Sequence, residues 1–185
     1  MPGKVFVITG PSGVGKGTLI SRLLERVPGL ELAVSATTRR PREGEEHGVH
    51  YHFLDEPEFD RRVLEGDFLE HAEYSGRRYG TLKSELERRT ADGASVVLEI
   101  EVQGARQVAN AMPEAVRIFI APPSEETLRE RLTGRGTDDP EQIERRLLVA
   151  KAELAAVDEF PHVVRNDDLS RATDDLAEIV RSATA

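Results

Sequence analysis

The sequence predicts an α/β fold of three layers, in which helices flank a parallel sheet on both faces. Short apolar runs alternate with helical patterns along the 185 residues. Several of these runs are apolar throughout, which is typical of strands covered on both faces. A glycine-rich run, Gly10–Thr18, follows the first apolar run directly and precedes a helical pattern. That order predicts a phosphate-binding loop between a buried strand and a helix.

Composition favours one domain that is large enough to bury a core. The chain has no cysteine, which excludes disulfides, thiolate metal sites and a cysteine nucleophile. Neither a signal peptide nor an apolar run of about 20 residues is visible, so we expect a soluble cytoplasmic protein without a membrane partner. The formal net charge of −9 argues against non-specific nucleic-acid binding, which requires a basic face.

The strands of the parallel sheet are predicted from the apolar runs. They are Val5–Thr9, Val96–Ile100, Val116–Ala121 and Val163–Val164.

Helices are predicted from caps and from apolar periodicity. The first helix begins near Thr18, and Asp55 and Glu58 have the spacing of a capping box before a second. Asp139 followed by Pro140 predicts the start of a third. Its apolar face comprises Ile143, Leu147, Ala150, Leu154 and Val157, and a final helix carries Leu169, Ala172, Leu176, Ile179 and Val180. The polar segment 35–55 and the glycine-hinged segment 133–139 do not fit this alternation. In a phosphoryl-transfer enzyme they are candidates for an acceptor-binding insert and a closing lid.

The glycine-rich run is predicted to cradle the phosphates of ATP or GTP. Its glycines let successive backbone N–H groups point inward, and Lys16 reaches the outer phosphates. The other reading, a glycine-rich turn with a surface lysine, does not account for the flanking strand and amphipathic helix. Gly17 stands where many such loops place a magnesium-contacting hydroxyl, and whether Thr18 takes that role is open. Magnesium also tolerates being held mainly by phosphate oxygens and waters. The predicted nucleotide-binding residues are Gly10, Pro11, Ser12, Gly13, Val14, Gly15, Lys16, Gly17 and Thr18.

A series of further motifs, in the same order along nearly the whole chain, resembles the guanylate kinase family. These motifs are Ser35–Glu45 with Gly48 and Tyr51, Phe68–Glu70, Tyr79–Thr81, Leu98–Gly104, Ala121–Ser124, Gly134–Thr137 and Asn166–Asp168. The resemblance implies transfer of the γ-phosphate of ATP to GMP with Mg²⁺, giving ADP and GDP, in purine nucleotide metabolism and GMP recycling. Use of dGMP is left open. It also implies a P-loop core (about 1–32, 92–122 and 160–185), an insert that binds the nucleoside monophosphate (about 33–91) and a mobile lid (about 124–150).

The resemblance assigns Arg39, Arg42, Tyr51 and Tyr79 to the phosphate of GMP. Arginine suits a dianionic phosphate because its planar guanidinium grips two oxygens and keeps its charge. The tyrosines would add phenolic hydrogen bonds. A solvated basic loop is the other reading, and Arg40 is expected to face solvent.

Guanine is assigned to Glu70, with Ser35, Thr81 and Glu101 completing the pocket. The N1–H and N2 amine of guanine present two donors on one edge, which a carboxylate accepts side by side. Adenine lacks that pair of donors, so a carboxylate here favours GMP over AMP. Glu101 departs from the usual Asp of the family. Glu99, on the same strand face, is expected to lie nearer the phosphates and metal-bound waters.

Donor-side catalysis is assigned to Lys16, Arg135 and Arg146, together with Arg42 on the acceptor side. Charge that develops on the transferring phosphoryl group requires positive charge, which lid arginines supply on closure. Neighbouring Arg145 faces a different direction on the helix, so only Arg146 is expected to reach the site. Asn166 is assigned to the adenine side, with a simple turn residue as the alternative. No general base is required, because a phosphate oxygen of the acceptor is already ionised.

Two other functions fit parts of this pattern. A guanylate-kinase-like interaction module would use the arginines and tyrosines to hold a phosphorylated peptide, but the intact loop with Lys16 disfavours it. A kinase acting on a phosphorylated sugar would need the loop but not Ser35, Glu70 and Thr81. The histidines need no catalytic role, and a metal site at His47, His50 and His52 is disfavoured by their irregular spacing.

Overall fold

The computed structural model describes residues 3–74, 76–133 and 140–185, except for the side chains of Pro140 and Gln142. Within these ranges the strands are β1 (Val5–Thr9), β2 (Leu30–Leu32), β3 (Ala36–Thr37), β4 (His52–Phe53), β5 (Phe68–Tyr74), β6 (Arg77–Leu82), β7 (Ser95–Glu99), β8 (Val116–Ala121) and β9 (His162–Arg165). The helices are α1 (Lys16–Arg26), α2 (Glu56–Glu65), α3 (Lys83–Ala91), α4 (Val102–Ala111), α5 (Glu125–Thr133), α6 (Pro140–Leu154) and α7 (Leu169–Thr184), with a 3₁₀ turn at Val157–Glu159.

A five-stranded sheet in the order β2-β7-β1-β8-β9 confirms the predicted α/β class. The pairings β2–β7, β1–β8 and β8–β9 are all parallel. Strands β1 and β8 have the predicted bounds, β7 begins and ends one residue before the prediction, and β9 is longer by one residue at each end. Continuous apolar runs therefore identified four of the five strands. The short β2 was missed, because only Leu30 of its three residues is buried.

A second, four-stranded sheet in the order β4-β3-β6-β5 was not predicted. Strand β3 pairs in parallel with β4 and antiparallel with β6, which in turn pairs antiparallel with β5. The sequence conceals these strands because β3 and β4 have two residues each and β6 begins with two arginines. The polar segment 35–55, which carries few helix signals, therefore contains the two short strands β3 and β4.

The chain forms two compact units, of which the first comprises 3–5, Gly29–Leu98 and Gln103–Ala115. Helix α2 begins as predicted after Asp55, whose side chain accepts the backbone N–H of Glu58 at 2.8 Å. Phe59 of α2 is fully buried and stacks on Phe68 of β5 with ring centroids 4.5 Å apart. This contact packs α2 against the four-stranded sheet.

The second unit comprises Phe6–Pro28, Glu99–Val102 and Val116–Ala185. Four of the five residues of β1 and the segment Ile118–Ile120 of β8 are fully buried. Helix α7 begins after the N-cap Asp168, which accepts the N–H of Arg171 at 2.8 Å. Helices α5 and α6 pack through Leu128, Leu132 and Ala150. The predicted apolar face of α6 was extended too far, because the helix ends at Leu154 and Val157 lies in the 3₁₀ turn. Among the described residues, no helix has the length and apolar character to cross a bilayer.

Candidate active site

The phosphate-binding loop lies where the sequence predicts it, between β1 and α1. Helix α1 begins at Lys16, two residues before the predicted start, and its N-cap Gly15 has φ 96°, in the left-handed region. A Cβ atom at Gly15 would lie 2.8 Å from the side-chain nitrogen of Asn166. Both the backbone conformation and this close approach therefore require glycine here.

Lys16 is almost fully buried within the loop, with 8% of its surface exposed. Its ammonium group donates a hydrogen bond to the carbonyl oxygen of Gly10. The side chain is thus folded back over the loop, with its ammonium group against the carbonyl oxygen of Gly10. A lysine in this position provides the positive charge for a bound polyphosphate.

Gly17 and Thr18 occupy the exposed first turn of α1. No atom lies within 4 Å of a Cβ built at Gly17. A residue with a side-chain hydroxyl would therefore have room for its Cβ at this position, and crowding does not explain the glycine. Thr18 therefore carries an accessible hydroxyl at the positive end of the helix.

Two side chains that follow later in the chain tie the loop down at Val14. The side-chain amide of Asn166 donates to the carbonyl oxygen of Val14 at 2.8 Å. Arg131 donates to the same carbonyl at 3.1 Å and to the carbonyl of Asn166 at 3.2 Å. Sequence reasoning missed Arg131.

Helix α6 brings Arg146 to the loop, where its guanidinium donates to the hydroxyl oxygen of Ser12 at 2.9 Å. Arg145 instead is exposed and pairs with Glu141 one turn earlier, at 2.7 Å. The two arginines thus face different directions, as their positions on the helix predict. Arg135 lies outside the described residues.

We predict that Arg146→Ala lowers kcat for phosphoryl transfer by about 10²–10³-fold, because it removes a positive charge held at the loop. Arg145→Ala is the matched control, and kcat should stay within about twofold because exposed ion pairs contribute little. Steady-state kinetics with purified variants checks both values. Equal losses in the two variants would contradict the distinction between them.

The second unit holds three acidic residues of this part of the site, and the charge of Lys16 acts on two of them, Glu99 and Glu153. Glu99 ends β7, Glu101 precedes α4, and Glu153 comes from α6. Desolvation raises the pKa of Glu99, and repulsion from Glu101 adds to this, while the charge of Lys16 lowers it. Glu99 as a residue is exposed to solvent. Sequence reasoning missed Glu153, which is unremarkable among the many acidic residues of the helices.

The first unit holds Glu70 and Thr81 as a buried pair on adjacent strands. They are 4% and 1% exposed, and the Thr81 hydroxyl donates to Glu70 Oε1 at 2.7 Å. Burial raises the pKa of Glu70, although the hydroxyl and the backbone N–H of Thr81 oppose this by hydrogen bonding to the carboxylate. A buried carboxyl group is costly unless hydrogen-bond donors or a cation satisfy it, and a ligand with N–H groups would supply further donors. This arrangement is what a site for a ligand with N–H donors requires.

A β-bulge sets the direction of Glu70. Phe68 pairs with Leu82 and Glu70 with Thr81, so that Leu69 is an extra residue in β5. Bulges commonly occur beside functional sites, where they redirect a side chain. Next to the bulge, Gly80 approaches β5 so closely that a Cβ would lie 2.7 Å from the carbonyl oxygen of Glu70 and from the ring of Phe68.

We therefore predict that Gly80→Ala lowers the free energy of unfolding by about 1–3 kcal/mol, the usual cost of overpacking. The added methyl group has to push the Glu70 backbone away, so the affinity of the pocket should fall as well. Urea denaturation measures the free energy of unfolding. A variant as stable as the unmodified protein would contradict the prediction, because it would show that β5 and β6 move apart without loss of stability.

Arg39 lies close to Tyr51, and Tyr51 to Tyr79, the two tyrosines that the resemblance assigns to the same phosphate. Its guanidinium is 5.2 Å from the ring centre of Tyr51, and the rings of Tyr51 and Tyr79 are 6.2 Å apart. Glu45 accepts from Arg39 at 2.8 Å and from the backbone N–H of Arg42 at 2.7 Å. These two hydrogen bonds lower the pKa of Glu45 to about 2. Glu45 was not among the predicted site residues. By bonding to both Arg39 and Arg42 it holds the segment between them in a turn and keeps the Arg39 guanidinium beside the tyrosine rings.

The side chains of Arg42 and Arg40 are both exposed, and exposure was expected only for Arg40. Ser35 is partly buried, and its carbonyl accepts the N–H of His52 at 2.8 Å. Two histidines of this segment accept hydrogen bonds from backbone N–H groups. His47 Nδ1 accepts the N–H of Phe53 and His50 Nδ1 accepts that of Glu46, at 3.2 and 3.0 Å.

Comparison with known proteins gives a consistent result. A family model described as guanylate kinase matches residues 2–183. The guanylate kinase of Dechloromonas aromatica is 49% identical over 99% of this chain and 91% of its own length. That of Synechococcus sp. is 53% identical over 94% and 90%. The crystal structure of guanylate kinase from Anaplasma phagocytophilum matches with a TM-score of 0.77 at 35% identity, over 98% of this chain and 86% of that one.

Proposed function

Because this chain belongs to the guanylate kinase family, we propose that it transfers the γ-phosphate of ATP to GMP, giving ADP and GDP. Besides membership of the family, one observation supports the proposal: the chain has a group of residues suited to the phosphates of ATP and another suited to a nucleotide base. A phosphate-binding loop with Lys16 serves the donor, and a buried carboxylate with Thr81 beside it serves a base that donates hydrogen bonds.

On the donor side, the loop backbone and Lys16 bind the polyphosphate, and Arg146 lies ready at Ser12. These groups stabilise the charge that spreads over the transferring phosphoryl group. Arg135 is proposed to act with them when a lid of about residues 124–150 closes. Asn166 is proposed to serve the adenine side, in addition to holding Val14.

Magnesium would accompany ATP and neutralise charge on the β- and γ-phosphates. The accessible Thr18 hydroxyl at the start of α1 is an oxygen ligand of the kind that Mg²⁺ accepts. Phosphate oxygens and waters would supply the remaining ligands, and Glu99 would accept hydrogen bonds from such waters.

On the acceptor side, Glu70, Thr81 and Ser35 are proposed to bind guanine, and the family resemblance assigns Glu101 to the same base. Arg39, Tyr51 and Tyr79 are proposed to hold the phosphate of GMP. Arg42, whose side chain is exposed, would reach the same phosphate while that phosphate accepts the γ-phosphoryl group of ATP. These residues belong to the proposed acceptor insert of about 33–91, except Glu101, which follows β7.

The test is ADP release from ATP and magnesium with GMP, dGMP, AMP, UMP or CMP as acceptor. We expect strong turnover with GMP, with dGMP as a second acceptor to be decided by the same assay. Binding of ATP without turnover on any nucleotide would overturn the proposal and favour an interaction module or a kinase of another phosphorylated acceptor.

A further inference from the structure

The outer edge of β5 is covered at one residue by a side chain from α4. Strand β5 ends the sheet order β4-β3-β6-β5 and pairs with β6 along one edge. On the other edge, the side-chain amide of Gln107 accepts the backbone N–H of His71 at 3.1 Å and donates to the carbonyl oxygen of the same residue at 2.7 Å. Gln107 therefore uses both groups of its amide as a neighbouring strand would, and both backbone groups of His71 are paired.

This contact anchors the peptide group next to Glu70. The N–H of His71 and the carbonyl group of Glu70 belong to one planar peptide unit, which begins at the Cα of Glu70. On the other side of Glu70, the bulge at Leu69 interrupts the pairing with β6. The backbone at Glu70 therefore depends on the contact with Gln107 more than a residue inside a regular ladder would.

Helix α4 gives Gln107 a fixed base. Ala105 and Val108 of the same helix are buried in the core, and Gln107 itself is half-buried. Gln107, His71 and Glu70 all belong to the first unit. The amide is therefore held by the packing of its helix as well as by its two hydrogen bonds, which is what the support of a binding group requires.

We propose that Gln107 is a positioning residue for the acceptor base, which holds the Glu70 carboxylate at the angle that guanine requires. Two parallel hydrogen bonds from the N1–H and the N2 amine of guanine form well only when the carboxylate lies near the plane of the base. Thr81 fixes one oxygen of this carboxylate from β6, and Gln107 fixes the backbone from which the side chain extends. The inference rests on the proposed function, because Glu70 is proposed to bind guanine.

Gln107→Met removes the two hydrogen bonds and little else. The methionine keeps the length of the side chain and its preference for helix, but provides neither an N–H nor a carbonyl group. We expect KM for GMP to rise about tenfold with kcat within about threefold, because a misdirected carboxylate weakens binding of the base before and during transfer alike. For AMP, kcat/KM should stay within about twofold. Asn110→Leu at an exposed position of α4 is the matched control, and it should leave KM for GMP unchanged.

A double-mutant cycle with Glu70 separates positioning from structural support. In a Glu70→Gln background the group that Gln107 positions no longer pairs with guanine, so adding Gln107→Met should change kcat/KM for GMP by less than about twofold. A purely structural contact would lower kcat/KM by the same factor in both backgrounds. That outcome, or an unchanged KM in a folded Gln107→Met protein, would overturn the inference. Absence of GMP turnover in the unmodified protein would instead defeat the proposed function.

Amide hydrogen exchange tests the contact without any turnover. The N–H of His71 should exchange about tenfold faster in Gln107→Met than in the unmodified protein or in Asn110→Leu, because its acceptor, Oε1 of Gln107, is gone. The melting temperature of Gln107→Met should fall by about 2–6 °C, which leaves the chain folded during the assays. Unchanged protection of the His71 amide would show that Gln107 does not hold this peptide group, and the proposal would fail.

Discussion

Replacing Lys16 with Met is expected to lower kcat for GMP phosphorylation by about 10³-fold while the fold stays intact. The methionine keeps the apolar stem that packs in the loop and removes only the charge. Enzymes catalyse phosphoryl transfer mainly by positioning the reactants and stabilising charge. Loss of a positive charge beside the transferring group therefore raises the activation free energy directly. Steady-state kinetics at saturating ATP measures the loss, and circular dichroism checks the fold.

The chain offers a matched control for this change. Lys83 also donates its ammonium group to a glycine carbonyl, that of Gly66, at 2.6 Å, but lies exposed at the start of α3. Lys83→Met therefore removes the same kind of hydrogen bond and should leave kcat within about twofold. If Lys16→Met also kept kcat within a factor of a few, the loop would not be the donor site.

Glu70→Gln should lower kcat/KM for GMP by about 10²–10³-fold, with AMP turnover much less affected. Oε1 of the new amide still accepts from Thr81, so the internal contact survives. The other end of the side chain becomes a donor, which faces the donors of guanine and cannot pair with them. Measured kcat/KM for both acceptors gives the change in selectivity. Glu73→Gln on the same strand is the control, because Glu73 is exposed.

The same pocket predicts an acid limb in the pH profile. Burial raises the pKa of Glu70, so the carboxylate that guanine requires takes up a proton at a higher pH than an ordinary glutamate. KM for GMP should therefore rise as pH falls towards the upper end of the carboxyl range, and Glu70→Gln should not show that rise. If Glu70→Gln had the same KM for GMP as the unmodified protein, and the same rise in KM at low pH, Glu70 would not bind the base.

The donor half of the site was predictable because its residues are contiguous. Strand β1, the loop with Lys16 and helix α1 follow each other within about twenty residues, so the local pattern contains the chemistry. The acceptor half was not predictable from pattern alone. Glu70 is paired with Thr81 by a bulge in a sheet of short, polar strands, which leave little periodicity to detect. Only the resemblance singled those residues out.

A residue that acts across a long stretch of chain escaped both approaches. Arg131 contacts Val14 across 117 positions. It has no local signature, since an arginine on a helix most often faces solvent. Its contact depends on how the helices pack on the sheet, which the sequence indicates only in outline.

Direct tracing of the phosphate tests the central claim most simply. Unmodified protein is mixed with ATP labelled at the γ-position, magnesium and an equimolar mixture of GMP and AMP, and the labelled products are separated. The account predicts that the label appears in the β-phosphate of GDP, in step with ADP formation, and that little labelled ADP forms from AMP. Label released as free phosphate, or shared equally between the two acceptors, would contradict it.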